Sequence, residues 1–134
     1  MNVILSIKPE FVRKIFSGEK LYEYRKVLFK QNVETVYIYA SSPVCKIVGE
    51  FKIENIIFDT PQVIWERTEK ESGVDRCFFE KYFQGKNKGI ALKIKECKKY
   101  SKGIAPRLLI PNFTVPQSFV YADFSNLEEF SQRL

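Results

Sequence analysis

The order of hydrophobic periods constrains the fold of this chain more than any single residue does. Segments alternating at period two cluster together instead of taking turns with helical segments. Val3 to Ile7 reads as a short apolar strand. Lys8-Pro9-Glu10 then starts a helix, because proline fits the first helical position and glutamate suits the positive end. Phe11, Val12, Ile15 and Phe16 fall on one face of that helix, and Gly18 stops it as a left-handed cap. Leu21 to Val27 reads as extended, and Thr35 to Ala40 as a strand. Ile47 to Phe58 is a long strand pattern in which Gly49 marks a bulge or a close approach. Thr60-Pro61 opens a second helix running to about Glu71, which Ser72-Gly73 breaks. Asp75 caps a third helix that Gly85 closes. Its Phe78, Phe79, Tyr82 and Phe83 read as one core-packing face, with Cys77 as a small buried hydrophobe. Gly89 to Cys97 is a strand with one lysine-decorated face. Pro106, Pro111 and Pro116 predict an extended or looped tail with a short edge strand. Asn126 to Leu134 reads as a frayed helix. Clustered strands of this kind predict an α+β domain with a small curved sheet or barrel, not a doubly wound sheet. A length of 134 residues suits one domain, 1–134.

Composition narrows the chemistry. The chain has no histidine, which removes imidazole bases, Ser-His and Cys-His dyads and every imidazole zinc site. Cys45, Cys77 and Cys97 are an odd set with wide gaps. They predict neither a metal knuckle nor a disulfide framework, and free thiols of this kind suit a reducing cytoplasm. No metal or cofactor is expected. Apolar runs are too short to span a membrane. Met1 leads into Val3-Ile4-Leu5 with no charged n-region and long h-region, so the sequence reads as lacking a signal peptide. The net charge of +6 is unevenly spread. Residues 8–30 carry +4 and residues 81–107 carry +8, while residues 50–80 carry −4. If the fold unites the two basic segments, they form an anion-attracting face; otherwise the lysines decorate the solvent side of strands.

The densest chemistry follows the first helix, in Gly18-Glu19-Lys20-Leu21-Tyr22-Glu23-Tyr24-Arg25-Lys26. In an extended chain Glu23 and Arg25 share one face, and Tyr22, Tyr24 and Lys26 share the other. Neither face is cleanly apolar. Arg25 suits bidentate contact with a phosphate or carboxylate, with Glu23 orienting it. Aromatics interleaved with cations are also what base stacking requires. The alternative is an edge strand with a surface Glu–Arg pair and two half-buried tyrosines.

The spacing G-x-K-x-x-E-x-R, here Gly18, Lys20, Glu23 and Arg25, resembles the signature of the ASCH domain, a branch of the PUA-like superfamily. Ser6-Ile7-Lys8-Pro9, Ala40-Ser41-Ser42-Pro43, Gly49-Glu50-Phe51 and Pro116-Gln117-Ser118-Phe119 look like the small stand-alone prokaryotic members. The resemblance covers residues 2–121 and leaves 122–134 as a tail. It implies a small mixed β-barrel with about three flanking helices, and a cleft suited to RNA or a nucleotide. Lys20 and Arg25 would contact phosphate or a base edge, and Glu23 would orient Arg25 or accept from an exocyclic amine. Lys8, Tyr24, Lys26, Ser41 and Ser42 would line the cleft, with Gln117 and Ser118 closing it from the tail. Two hydrolytic precedents exist in the family. One resembles an amidohydrolase of N-acetylcytidine using Lys, Thr and Glu, with the Thr at the position of Glu23; Lys20 and Glu23 would be its catalytic residues here, with Glu69 or Glu71 as a further acid. The other resembles a metal-independent ribonuclease using Tyr, Lys and Ser, of which only the lysine finds a partner, in Lys20. Binding is the primary expectation and hydrolysis the alternative. The sequence leaves the oligomeric state open.

Overall fold

The computed structural model describes residues 1–134. In chain order the elements are β1 (Val3–Ile7), α1 (Pro9–Ser17), β2 (Tyr22–Arg25), β3 (Thr35–Ala40) and β4 (Lys46–Asp59). There follow α2 (Pro61–Thr68), a 3-10 turn (Glu69–Glu71), α3 (Arg76–Tyr82) and β5 (Gly89–Ile104). A second 3-10 turn (Pro106–Leu108), β6 (Phe119–Tyr121) and α4 (Leu127–Gln132) complete the chain. The expected punctuation operates. Gly18 sits at φ 86 after α1. The Thr60 hydroxyl accepts from the Val63 N–H at α2, and the Asp75 carboxylate accepts from the Phe78 N–H at α3.

The six strands form one sheet in the order β2-β5-β4-β3-β1-β6. Only β1 and β3 run parallel; the other neighbours are antiparallel. β2 and β6 lie at opposite ends of that order, yet they meet through side chains. Arg25 on β2 donates to the Ser118 carbonyl beside β6 at 2.8 Å, and the Phe29 and Phe119 rings pack edge to face at 4.9 Å. The sheet is therefore curled into a half-barrel, the α+β, PUA-like architecture expected. Four α-helices flank it, one more than anticipated.

Curling needs bulges. The β4–β5 register shifts three times along its length, and β3–β4 shifts once. Gly49 lies at two of these irregularities. A β-carbon there would stand 2.4 Å from the Lys98 carbonyl and 2.6 Å from the Phe16 ring, so α1 and β5 both approach the bare backbone. Three apolar clusters follow from the curl. The largest fills the half-barrel with Leu5, Val36, Ile38, Phe51, Ile90 and Leu92 beneath Val12 and Ile15 of α1. A second joins Tyr22 and Tyr24 of β2 to Ile64, Trp65, Phe79 and Phe83 of α2 and α3. The third places Tyr37, Tyr39, Tyr100 and Ile104 against Leu127.

Some expectations change. β5 runs on to Ile104, seven residues beyond the sequence reading, because its second half continues to pair with β4. The C-terminal helix is docked, not frayed: Leu127 and Ser131 are buried, and the Ser131 hydroxyl accepts from the Lys102 N–H at 2.8 Å. Cys77 is exposed, since α3 turns that side of its first turn to solvent. No helix is long and apolar enough to cross a membrane.

Candidate functional site

A cavity of about 380 Å³ opens between the end of β1, the start of α1, β2 and α3. That is at the small end of the roughly 300–1,000 Å³ range of ligand sites. Its floor is the motif strand. All four residues of β2 are buried, so the alternative of a surface Glu–Arg pair does not hold. Glu23 occupies the centre: one carboxylate oxygen is 3.8 Å from the Lys20 ammonium, and the other accepts from Arg25 at 3.2 Å. Arg25 also donates to the Ser6 carbonyl at 3.4 Å, in addition to its bond to Ser118. Three partners fix the guanidinium at the seam between β2, β1 and the tail.

Lys20 is 1% exposed. Its ammonium donates to the Ser72 carbonyl at 2.9 Å and lies 4.7 Å from the Tyr24 ring centre and 5.4 Å from that of Phe11. Burial pulls its pKa below the ordinary lysine value; Glu23 opposes that shift and Lys14 adds to it. Tyr24 is not a free hydroxyl. Thr68 spends its own proton on the Ile64 carbonyl at 2.8 Å, so in the 2.6 Å Tyr24–Thr68 contact the tyrosine is the donor. Burial pushes the Tyr24 phenol up to about 12.

The walls are aromatic. Phe11 contributes from α1, and Phe78 and Tyr82 from α3. The Phe78, Phe79, Tyr82, Phe83 set therefore divides. Phe79 and Phe83 are 2% and 3% exposed in the core, while half-buried Phe78 and Tyr82 line the cavity with nearly parallel rings 6.2 Å apart. The core assignment is right for one half of the set only. Residues i and i+4 share a stripe and residues i+1 and i+5 the next stripe around, and the helix faces core with one and cavity with the other. Cations stand at the rim. Lys8 lies 5.5 Å from the Phe78 ring centre and Lys26 4.6 Å from that of Tyr82; exposed Lys81 and Gln117 complete the lining.

Of the residues singled out from the sequence, Lys8, Lys20, Glu23, Tyr24, Arg25 and Gln117 line this one cavity. Lys26 sits over its Tyr82 wall. Ser118 takes part through its carbonyl alone. Ser41 and Ser42 do not line it; they turn the chain from β3 into β4, and the Ser41 N–H is tied to the Ile7 carbonyl at 3.0 Å. Glu69 and Glu71 do not line it either, and Trp65 lies over a separate surface groove with Glu69. Sequence reading missed Val74 and Lys81, which carry no motif, and took the walls Phe11, Phe78 and Tyr82 for packing faces; Ser6 stood only in the family-like stretch Ser6-Ile7-Lys8-Pro9. No group of three or more Cys, Asp or Glu side chains comes together as a metal site would require.

The ASCH domain model matches residues 5–110. The chain belongs to the ASCH domain family. Among curated relatives it is 30% identical over 100 residues to the large ribosomal subunit protein uL22 of Ureaplasma parvum, covering 74% of this chain and 32% of that protein. It is 27% identical over 96 residues to an ASCH domain-containing ribonuclease of Zymomonas mobilis, covering 71% of this chain and 65% of the relative. The chain thus matches about a third of one relative's length and just under two thirds of the other's. The crystal structure of ASCH from Zymomonas mobilis superposes with a TM-score of 0.84 at 24% identity, covering 98% of this chain and 93% of that one. That likeness establishes a shared fold.

Proposed function

We propose that this chain is an RNA- or nucleotide-binding module whose cavity takes a single unstacked base. The observation that carries the reading is the layering of the cavity: a polar floor of Lys20, Glu23 and Arg25, aromatic walls of Phe11, Phe78 and Tyr82, and a rim of lysines. A base entering between the walls meets π-faces, and at the floor it meets a carboxylate acceptor beside an ammonium donor. Every nucleobase carries an adjacent donor and acceptor on its pairing edge, so the floor complements a base better than a second phosphate. Phosphates would lie outside, against Lys8, Lys26 and Lys81. Family membership and the ribonuclease name of the Zymomonas relative support RNA as the ligand.

The test is binding of fluorescent single-stranded RNA across a salt series. Log affinity should fall by roughly 0.7 per neutralised phosphate for each tenfold rise in salt. Lys8→Ala and Lys81→Ala should flatten that slope. Tyr82→Ala should weaken binding at every salt concentration. No binding at low salt would remove the reading.

A second reading is RNA cleavage with Lys20 as the proton donor or acceptor, favoured by its lowered pKa and the absence of histidine. It predicts RNA fragments that disappear in Lys20→Met. The N-acetylcytidine amidohydrolase alternative has less support: Glu23 stands where that chemistry uses a threonine, and a carboxylate is a poor nucleophile toward an amide.

A further inference from the structure

A buried lysine at the floor of a binding cavity works only if something aims it. Lys20 has three N–H bonds, of which the Ser72 carbonyl takes one. The surroundings of that carbonyl are unusually well fixed. The Ser72 hydroxyl donates to the Val74 carbonyl at 2.9 Å and accepts from the Val74 N–H at 3.3 Å, locking the turn that presents the Ser72 carbonyl. Gly73 follows at φ 69, and a β-carbon on it would stand 2.5 Å from the Lys20 β-carbon and 2.7 Å from its γ-carbon. The turn is thus pressed flat onto the lysine stem. The Leu21 N–H donates to the Glu71 carbonyl at 2.9 Å, fastening the near end.

Lys14 of α1 fastens the far end, and it does so twice. Its carbonyl accepts from the Lys20 N–H at 3.0 Å, and its ammonium donates to the Gly73 carbonyl at 3.0 Å. One residue therefore holds both the backbone that carries the floor lysine and the turn that covers it. Val74, next in the chain, lines the cavity, and α3 with its Phe78 and Tyr82 walls begins two residues later.

We propose that Lys14 and the Ser72–Gly73 turn are the positioning elements of this cavity: they clamp Lys20 so that its unspent N–H bonds face the ligand, and they fix the start of the α3 wall. This deepens the binding reading and rests on it for its functional consequence. The clamp itself exists in the free protein. Lys14 differs from the rim lysines, because it touches neither the cavity nor its aromatic rings.

The clamp also sets how tightly Lys20 keeps its proton. Glu23 and the Tyr24 ring face it from β2, Lys14 and the Phe11 ring from α1, and the Ser72 carbonyl from the turn. Of these, Lys14 supplies the like charge that joins burial in lowering the Lys20 pKa.

The experiment is an NMR titration of Lys20 in the full chain labelled at lysine side chains, with Lys20→Met identifying its signal. Lys14→Met should move the Lys20 titration upward, because a like charge is removed, and speed amide exchange at Ser72 to Val74. Ser72→Ala keeps the Lys14 charge but frees the turn, and should speed the same amide exchange. Lys14→Arg keeps both charge and donor and should restore the parent titration. A Lys20 titration and a turn protection unchanged in Lys14→Met would overturn the proposal. Because these readouts need no ligand, they judge the clamp even if RNA does not bind. If RNA binds the parent, affinity should fall in Lys14→Met and return in Lys14→Arg; equal affinity in all three would equally overturn it.

Discussion

Tyr24 and Tyr82 sit on neighbouring elements and serve opposite purposes. Tyr24 gives its proton to Thr68 inside the second core cluster, and burial lifts its phenol to about 12. A phenol whose folded pKa is raised stabilises the fold fully below its unfolded value near 10. That contribution is lost as pH climbs from about 10 toward 12. Burial raises the phenols of Tyr37, Tyr82 and Tyr100 as well. Alkaline unfolding followed by circular dichroism should therefore begin above pH 10, and Tyr24→Phe should shed part of the pH dependence while leaving the neutral fold intact. Tyr82, by contrast, turns its ring to the cavity. Tyr82→Ala should cost binding about 1–3 kcal/mol per stacked base, measured as RNA affinity, with a small change in melting temperature. Residue type alone did not separate these tyrosines. The motif spacing identified the strand, but which hydroxyl is spent in the core and which ring stands in the cavity wall depends on how α3 packs against β2.

Among elements, β4 and β5 carry the half-barrel. Their pairing runs from Asp59↔Gly89 to Ile47↔Ile104 with register shifts on the way. Gly49 was legible from the sequence as a bulge or a close approach, because an interior strand glycine otherwise only weakens a sheet. It proves to be both. Gly49→Ala should cost roughly 1–3 kcal/mol through overpacking against Phe16 and the Lys98 carbonyl, read from denaturant unfolding. α4 was less legible. Its six residues are too few to show a strong period, and its burial depends on the second half of β5, which sequence reading ended at Cys97. Deleting residues 126–134 should uncover Tyr37, Tyr39 and Ile104 and lower the unfolding midpoint; a frayed tail would leave it unchanged.

For the whole molecule, charge and cavity meet only in part. Residues 8–30 place Lys8 and Lys26 at the cavity, and residues 81–107 add Lys81. Most of the rest of the second basic segment is spread along β5, where Lys93 pairs with Glu54 at 3.1 Å and Lys98 approaches Glu128 at 4.0 Å. The uniting of two basic stretches that charge counting suggested thus narrows to a few rim lysines. The α+β class and the curved sheet were readable because strands cluster in the sequence. The cavity walls were not, because they arise where α1 and α3 converge on one strand, bringing together Phe11 and Phe78, 67 residues apart in the chain.

Arg25 belongs to the floor of the cavity and to the seam between two strands that share no ladder bond. Opening of β2 and opening of β6 should consequently be coupled, although 93 residues separate Arg25 from Ser118. A ligand that stiffens Glu23 and its guanidinium partner should slow hydrogen exchange at Phe119–Tyr121 without touching them. Arg25→Lys, which keeps the charge but cannot span Ser6, Glu23 and Ser118 together, should uncouple the two edges. In the parent protein the seam would report occupancy of the cavity at the other end of the strand order.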